Sequence, residues 1–312
     1  MKKDFFCPIC NNKSYNQEKQ YKTKTNLPTF QHKQLVRCIE CGSYSIYPVP
    51  STEELSYYYK LYWKNESFEA LKLVFKAQAE ARQKYLKKYY IQKNIKRVIK
   101  ILDVGAGYGS IGLNLRKKFK PHLVEYNALE MDPKAVKFLQ KNLKPRKIFN
   151  NITFIKGRYD LIILSHILEH IENPLYYLMT IKSKLTKGGI LFIEVPNQDY
   201  LFKTTNEPHL IFFDTNAISY LLNRAGFKIL RLDTCGNKIT DLKHLFDSAN
   251  KEKLENQKNH LFYGIIYRLS QILKIIKNPE KNKNDNFFQS IGRSVSIYGP
   301  DRHWIRLLAK IN

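Results

Sequence analysis

The sequence predicts an α/β protein built on a doubly wound, mostly parallel sheet, and three observations predict it. Strand-like and helix-like apolar runs alternate between residues 95 and 235. A glycine-rich turn joins the first of these strands to the first helix. Ahead of the alternation, four of the five cysteines fall within the first 41 residues as two C-x2-C pairs, which sets apart a small module at residues 1–50.

Each element follows from its pattern. VIKILDVG is expected as a strand and SIGLNLRKKF as a helix; VEYNALEM as a strand and PKAVKFLQKNL as a helix. A short strand near KIFNNITF, the strand DLIILS, a helix around NPLYYLMTIKSKL and the strand GGILFIEV come next. NAISYLLNRAG adds a helix and FKILRLD a strand. Upstream, residues 51–94 are expected as a linker and helical segment. The Pro- and Tyr-rich stretch Tyr47–Trp63 forms the linker, and Phe68, Leu71, Phe75, Ala79 and Leu86 recur at helical spacing. Residues 236–312 are expected as a short C-terminal α/β extension. Within it Leu261, Ile265, Leu269, Ile272 and Ile276 share one face of an amphipathic helix, and SVSIYGPDRHWIRLLAKI ends the chain as one strand, a Gly-Pro turn and one helix.

With 43% hydrophobic and 13% aromatic residues in 312, the chain can bury a core. No apolar run reaches the roughly 18 residues of a membrane span. MKKDFFCPIC lacks the apolar stretch of a signal peptide, so a cytoplasmic protein is expected. The net charge is +26, from 53 basic and 27 acidic side chains. The basic residues are scattered through every segment, which suits a phosphate-bearing small molecule such as a nucleotide sugar as well as nucleic acid.

Cys7-Pro-Ile-Cys10 and Cys38-Ile-Glu-Cys41 are two metal-binding knuckles. Each places two thiolates on a tight turn, and together they complete a tetrahedral four-cysteine shell for Zn2+. Four thiolates leave no open position, so a structural ion is expected. Disulfides do not suit a cytosolic chain. Cys235 stands apart and is expected in the core.

The turn Asp103-Val104-Gly105-Ala106-Gly107-Tyr108-Gly109 follows a strand and precedes a helix. Its glycines permit a tight bend and the close approach of a ligand to the backbone. Glu130 ends the next strand, where a carboxylate can accept both hydroxyls of a ribose.

LDVGAGYG, ALEMDP, YDLIILSHILEHIENP and LTKGGILFIEVPN, in this order, resemble the motif series of the class I S-adenosylmethionine-dependent methyltransferases, whose sheet is Rossmann-like. The resemblance covers about residues 95–235 and implies S-adenosyl-L-methionine as cofactor. It implies that Asp103, Gly105, Ala106, Gly107 and Gly109 form the cofactor turn, that Glu130 binds ribose and Met131 lies on adenine, that Asn150 stands near the adenine amino group, and that Ser165 and His166 flank the methionine part.

The paired knuckles, the Pro-containing linker and the Tyr-rich helix are similar to the zinc-bearing sugar methyltransferases. That similarity implies a sugar, nucleotide sugar or related small-molecule acceptor, and it makes His209, in the segment Asn206–Phe213, the general base. Glu169 and His170 read as a helix cap or as partners of one another. The alternative is an rRNA or tRNA methyltransferase that holds its substrate with the ribbon and the basic surface.

Overall fold

The computed structural model describes residues 4–23, 25, 27–65, 68–90, 97–118, 123–203, 205–244 and 297–312. The amphipathic helix expected at 261–276 lies outside them. In chain order the N-terminal part contributes strands β1 (Tyr15–Gln20), β2 (Gln34–Cys38) and β3 (Tyr44–Tyr47), then helices α1 (Thr52–Asn65) and α2 (Phe68–Tyr89). There follow β4 (Ile99–Val104), α3 (Ser110–Lys118), β5 (Val124–Leu129), α4 (Pro133–Asn142), β6 (Ile148–Phe149), β7 (Tyr159–Ser165), α5 (Pro174–Ser183) and β8 (Leu185–Pro196). The chain closes with β9 (Ile211–Phe212), α6 (Thr215–Arg224), β10 (Phe227–Lys238) and β11 (Arg302–Ile311).

The main sheet has seven strands in the order β10-β11-β8-β7-β4-β5-β6. The pairs β6–β5, β5–β4, β4–β7 and β7–β8 are parallel, and β11 runs antiparallel to both β8 and β10. The expected doubly wound, mostly parallel sheet is therefore present. Its strand order reverses at β4, so a crevice opens beyond the carboxyl ends of β4, β5 and β7, where open α/β sheets bind ligands. Alternate residues of each strand enter different cores. Leu102, Val104, Ile162, Leu164, Leu191 and Ile193 pack on one face, while Ile101, Leu161, Ile163, Ile190 and Phe192 pack on the other against Tyr85, Leu86, Ile111 and Leu115.

Three expectations need correction. The final run HWIRLLAKI is a strand, not a helix, and it belongs to the main sheet. Lying between two strands it is covered on both faces, with Ile305, Leu307 and Ala309 in one core and Leu308 in the other. A strand covered on both faces loses the polar–apolar alternation that marks a half-buried one. The Tyr-rich linker is helical from Thr52 onward. Ser51 and Glu54 form its capping box: Glu54 N–H donates to Ser51 Oγ at 3.2 Å and Ser51 N–H to Glu54 Oε2 at 2.6 Å.

Nor does the cysteine module stand alone. Its strands extend into a four-stranded sheet, β1-β2-β3-β9, whose last member comes from the far side of the sequence. Ser45 and Tyr44 pair with Ile211 and Phe212. Phe5, Ile9, Phe30, Leu35 and Ile46 of this module join the same core as Leu164, Ile193 and Leu221. A unit of about 50 residues buries too little surface to hold a core by itself, and sharing one removes that difficulty.

Glu194 of β8 is wholly buried. Its Oε1 accepts from Arg82 Nε of α2 at 2.6 Å, and its Oε2 from Arg306 Nε of β11 at 2.6 Å. Burial alone would raise its carboxyl, but the two guanidinium groups hold it well below the usual carboxylate range. Arg306→Met should lower the unfolding free energy in urea by about 3–5 kcal/mol, because Glu194 then loses one of its two guanidinium partners while staying buried. Adding Glu194→Gln to that variant should recover part of the loss. An unchanged urea midpoint in the single variant would show that this bridge does not hold the strand.

Candidate cofactor and acceptor site

The turn after β4 is stitched to the end of β5. Gly105 and Ala106 both donate their N–H to the Leu129 carbonyl, at 2.8 and 3.1 Å. Gly105, Gly107 and Gly109 all lie in the left-handed region, with φ of 66°, 53° and 68°. Their reasons differ. A Cβ on Gly105 would fall 2.0 Å from Cδ1 of Ile167, and one on Gly109 would fall 2.5 Å from Cδ2 of Leu139 on α4. A Cβ on Gly107 would meet nothing within 4 Å. Two of the glycines thus let protein pack on protein, and Gly107 alone borders free space.

Glu130 sits beside that space. Its Oε2 accepts from Gly107 N–H at 2.6 Å, and its Oε1 accepts from Met131 N–H at 2.7 Å and Asp132 N–H at 2.8 Å. Burial nevertheless raises its carboxyl above the ordinary value. These bonds fix the carboxylate at the mouth of the crevice with its remaining lone pairs turned to whatever enters. Asp103 lies deeper, 2% exposed, and accepts from the Tyr126 hydroxyl at 2.7 Å. Burial pushes its carboxyl up to about 7. Asp103 therefore supports the turn from behind. Met131 and Phe154, just past β5 and β6, leave large apolar surfaces exposed at 60% and 62%. Asn150 is exposed beside them, whereas Asn151 turns its side chain to Thr153 N–H at 2.9 Å.

Ser165 ends β7, and His166 follows with a left-handed backbone, φ 57°. The ring of His166 bridges two buried carboxylates, Nδ1 to Glu169 Oε1 at 3.3 Å and Nε2 to Glu194 Oε1 at 3.3 Å. Burial works against its charge, yet the two carboxylates raise its pKa above the ordinary value. The Trp304 ring of β11 lies 5.3 Å away, so the last strand lines the same end of the sheet.

His209 is 7% exposed, and its Nδ1 lies 2.8 Å from Asp199 Oδ2. Asp199 also pairs with Lys203 at 2.6 Å, and its neighbours His209 and Lys203 hold its carboxyl well below the usual range against the effect of burial. The rings of His209 and His170 are 4.9 Å apart. The cysteine module holds the loop around His209 from outside: Tyr21 donates its hydroxyl to the His209 carbonyl at 2.8 Å, Asn206 N–H donates to the Lys22 carbonyl at 2.8 Å, and the Glu207 carboxylate accepts from Thr25 N–H at 3.0 Å. Asp199 and Tyr21 carry no signal in the sequence. Glu169 and His170 were visible in SHILEH, but only the fold brings them to His209.

The four cysteines converge. Sγ of Cys7 is 3.6 Å from that of Cys41, Sγ of Cys10 is 3.4 Å from that of Cys38, and all four lie within 4.8 Å of one another. The two knuckles are built alike. Asn11 N–H donates to the Cys7 carbonyl at 2.9 Å and Gly42 N–H to the Cys38 carbonyl at 3.0 Å, with φ of 69° at both donor residues. Cys235 is fully buried. A separate cavity of about 410 Å³, lined by Asn197, Thr215, Asp233 and Asp301 among others, contains none of the expected cofactor residues.

Residues 75–232, just over half of the chain, match the family model described as a methyltransferase domain. The chain belongs to this methyltransferase family. The methyltransferase is 29% identical over 123 residues to (S)-coclaurine N-methyltransferase of Thalictrum flavum subsp. glaucum, which covers 37% of this chain and 34% of that one, so the match spans about a third of the length of the curated relative. Among solved structures, it is similar to an S-adenosylmethionine-dependent methyltransferase from Clostridium acetobutylicum ATCC 824, at 12% identity and a TM-score of 0.43 over 83% of this chain and 98% of that one. It is also similar to coclaurine N-methyltransferase bound to N-methylheliamine and SAH, at 15% identity and a TM-score of 0.45 over 74% and 72%. Among the described residues of the methyltransferase, no helix is long and apolar enough to cross a membrane.

The glycines make a prediction about the turn. Gly105→Ala should lower the melting temperature more than Gly107→Ala. Both variants meet the same left-handed backbone penalty of roughly 1–2 kcal/mol, but only the first drives a methyl group into Ile167. Equal shifts in thermal unfolding would contradict the packing role assigned to Gly105.

Proposed function

We propose that this methyltransferase uses S-adenosyl-L-methionine to methylate a small-molecule acceptor, a sugar, nucleotide sugar or related compound, at a hydroxyl group or at a carbon next to a keto group. The observation that carries the cofactor reading is the free space at Gly107 with the Glu130 carboxylate fixed beside it, at the sheet's reversal point. A cofactor there is held through its ribose by Glu130, through its adenine between exposed apolar groups such as Met131 with Asn150 alongside, and through its methionine part by Ser165 and His166. Ala106, Gly105 and Gly109 shape the turn, and Asp103 braces it.

When bound, S-adenosyl-L-methionine supplies a methyl group on a sulfonium, which an acceptor lone pair takes as the carbon–sulfur bond breaks. The chain must then orient the acceptor and promote loss of its proton. His209 suits that part. Asp199 fixes its Nδ1, which leaves Nε2 as the working nitrogen, and its loop follows β8, on the side where acceptors enter such sheets. The similarity to a small-molecule N-methyltransferase favours a small acceptor. The basic surface suits a phosphate-bearing one.

The convergent thiols suit Zn2+. Sulfur atoms at about 2.3 Å from one ion in a tetrahedron stand roughly 3.8 Å apart, close to the spacing of Cys7, Cys10, Cys38 and Cys41. Bound there, the ion would brace the ribbon and, through β3 and β9, the acceptor loop.

S-adenosylhomocysteine should bind with micromolar-range affinity, about 8 kcal/mol, by calorimetry. Gly107→Val should abolish that heat while the protein stays folded. His209→Asn should keep it and lower turnover by about 100- to 10,000-fold. Absence of binding to the wild type would sink the cofactor reading; full turnover by His209→Asn would remove His209 from the chemistry. Metal analysis should find about one zinc per chain, lost in Cys7→Ser together with the fold of the ribbon. Zinc-free wild-type protein, purified without chelator, would reject the metal assignment.

A further inference from the structure

Glu169, His170 and His209 meet from two loops at the carboxyl end of the main sheet, and one potential ligand atom of each lies within 4.8 Å of the others. Backbone bonds lock the loops together. Leu210 N–H donates to the Glu169 carbonyl at 2.8 Å, and His209 N–H to the Asn206 carbonyl at 3.0 Å. Both rings are held from behind. Asp199 Oδ2 lies 2.8 Å from Nδ1 of His209, and the Tyr59 hydroxyl lies 3.2 Å from Nδ1 of His170. Nε2 of His209 is then left for a ligand, and Nε2 of His170, whose ring also approaches the Pro208 backbone, is 3.9 Å from Glu169 Oε1. A carboxylate or hydroxyl behind each histidine is the arrangement that orients metal-binding imidazoles.

Glu169 supplies a second, independent sign. It is 1% exposed, and its Oε2 is buried without any hydrogen-bonding partner. His166 Nδ1 approaches only the other oxygen, at 3.3 Å. An unsatisfied buried carboxylate oxygen is unfavourable by ~1–3 kcal/mol or more, unless a positive group comes to it.

We propose that Glu169, His170 and His209 form a second metal centre, a two-histidine, one-carboxylate site for a divalent first-row transition metal ion. This donor set suits Mn2+, Fe2+, Co2+ or Zn2+, and it leaves positions open for oxygen ligands. It shares no residue with the four-cysteine cluster. On the methyltransferase reading, on which this role rests, the open positions take acceptor oxygens, so the acceptor carries two neighbouring oxygens able to chelate, as in a vicinal diol. With the ion bound, Nε2 of His209 is its ligand, the ion favours loss of the acceptor's hydroxyl proton to solvent water, and the role of base described above for His209 belongs to the metal-free chain. Ligand atoms on one such ion stand roughly 3 Å apart, so loading draws the three side chains together and stiffens both loops.

The test is titration of the full chain, carrying one equivalent of Zn2+ for its four cysteines, with Mn2+, read by the electron paramagnetic resonance of free Mn2+ and by thermal unfolding. Mn2+ is a poor match for thiolates and reports on this centre alone. One Mn2+ per chain and a higher melting temperature are expected. Glu169→Gln, which keeps the side chain's volume, should weaken binding at least tenfold. Asp199→Asn, which reaches the centre only through His209, should weaken it about 10- to 100-fold. Wild-type protein that holds no Mn2+ at millimolar concentration, or Glu169→Gln that binds like the wild type, would overturn the proposal. S-adenosylhomocysteine binding, measured on the same samples, separates the two readings: a chain that binds it but no Mn2+ keeps the methyltransferase assignment and loses the metal centre, and the converse keeps the centre alone.

Discussion

A single buried carboxylate organises much of this molecule. Glu194 takes one guanidinium from α2, ahead of the sheet in sequence, and another from β11, at the chain's end. It also faces His166, at the tip of β7. A charge in that position is tolerated only while it is fully paired, since desolvation is otherwise severe. The pairing therefore requires the helix, the two strands and the histidine to be in place at once. The last strand lies more than a hundred residues from β8 in sequence, yet this charge constraint and the hydrogen bonds from Ile190 to Pro196 lock it there.

The same economy of parts governs the crevice. Polar groups at the crevice are each held in place by protein neighbours. Glu130 is fixed by three backbone N–H groups, Asp103 braces the turn through Tyr126, and Asp199 steadies His209. Fixed dipoles and charges need little rearrangement when a ligand arrives, which is how a site on flexible loops becomes accurate.

The parallel half of the sheet was legible because each strand carries an apolar run bounded by turn residues, as in DLIILS followed by SHILEH. The glycine turn was legible because only glycine tolerates its backbone, although the sequence could not separate Gly107 from Gly105 and Gly109. Their roles depend on Ile167 and Leu139, which are distant neighbours brought up by the fold. The last strand was not legible, because being covered on both faces erased its period. The capping box Ser51–Glu54 was present and went unread, hidden by the tyrosines that follow. The partnership of Glu169, His170 and His209 had no local trace. It arises where two loops meet, and no spacing along the chain records it.

The strand β9 is only two residues long, and through it the cysteine module and the loop around His209 share one sheet. Tyr21, Lys22, Thr25, Tyr44 and Ser45 thereby meet residues of the segment 206–212 through hydrogen bonds and strand pairing. Neither surface can drift alone. A change that reshapes the loop disturbs the strand beside it, and the cysteine module must adjust in step. Across relatives, the two segments are expected to co-vary as one inherited unit, so that a change in the loop leaves its record in the cysteine module as well.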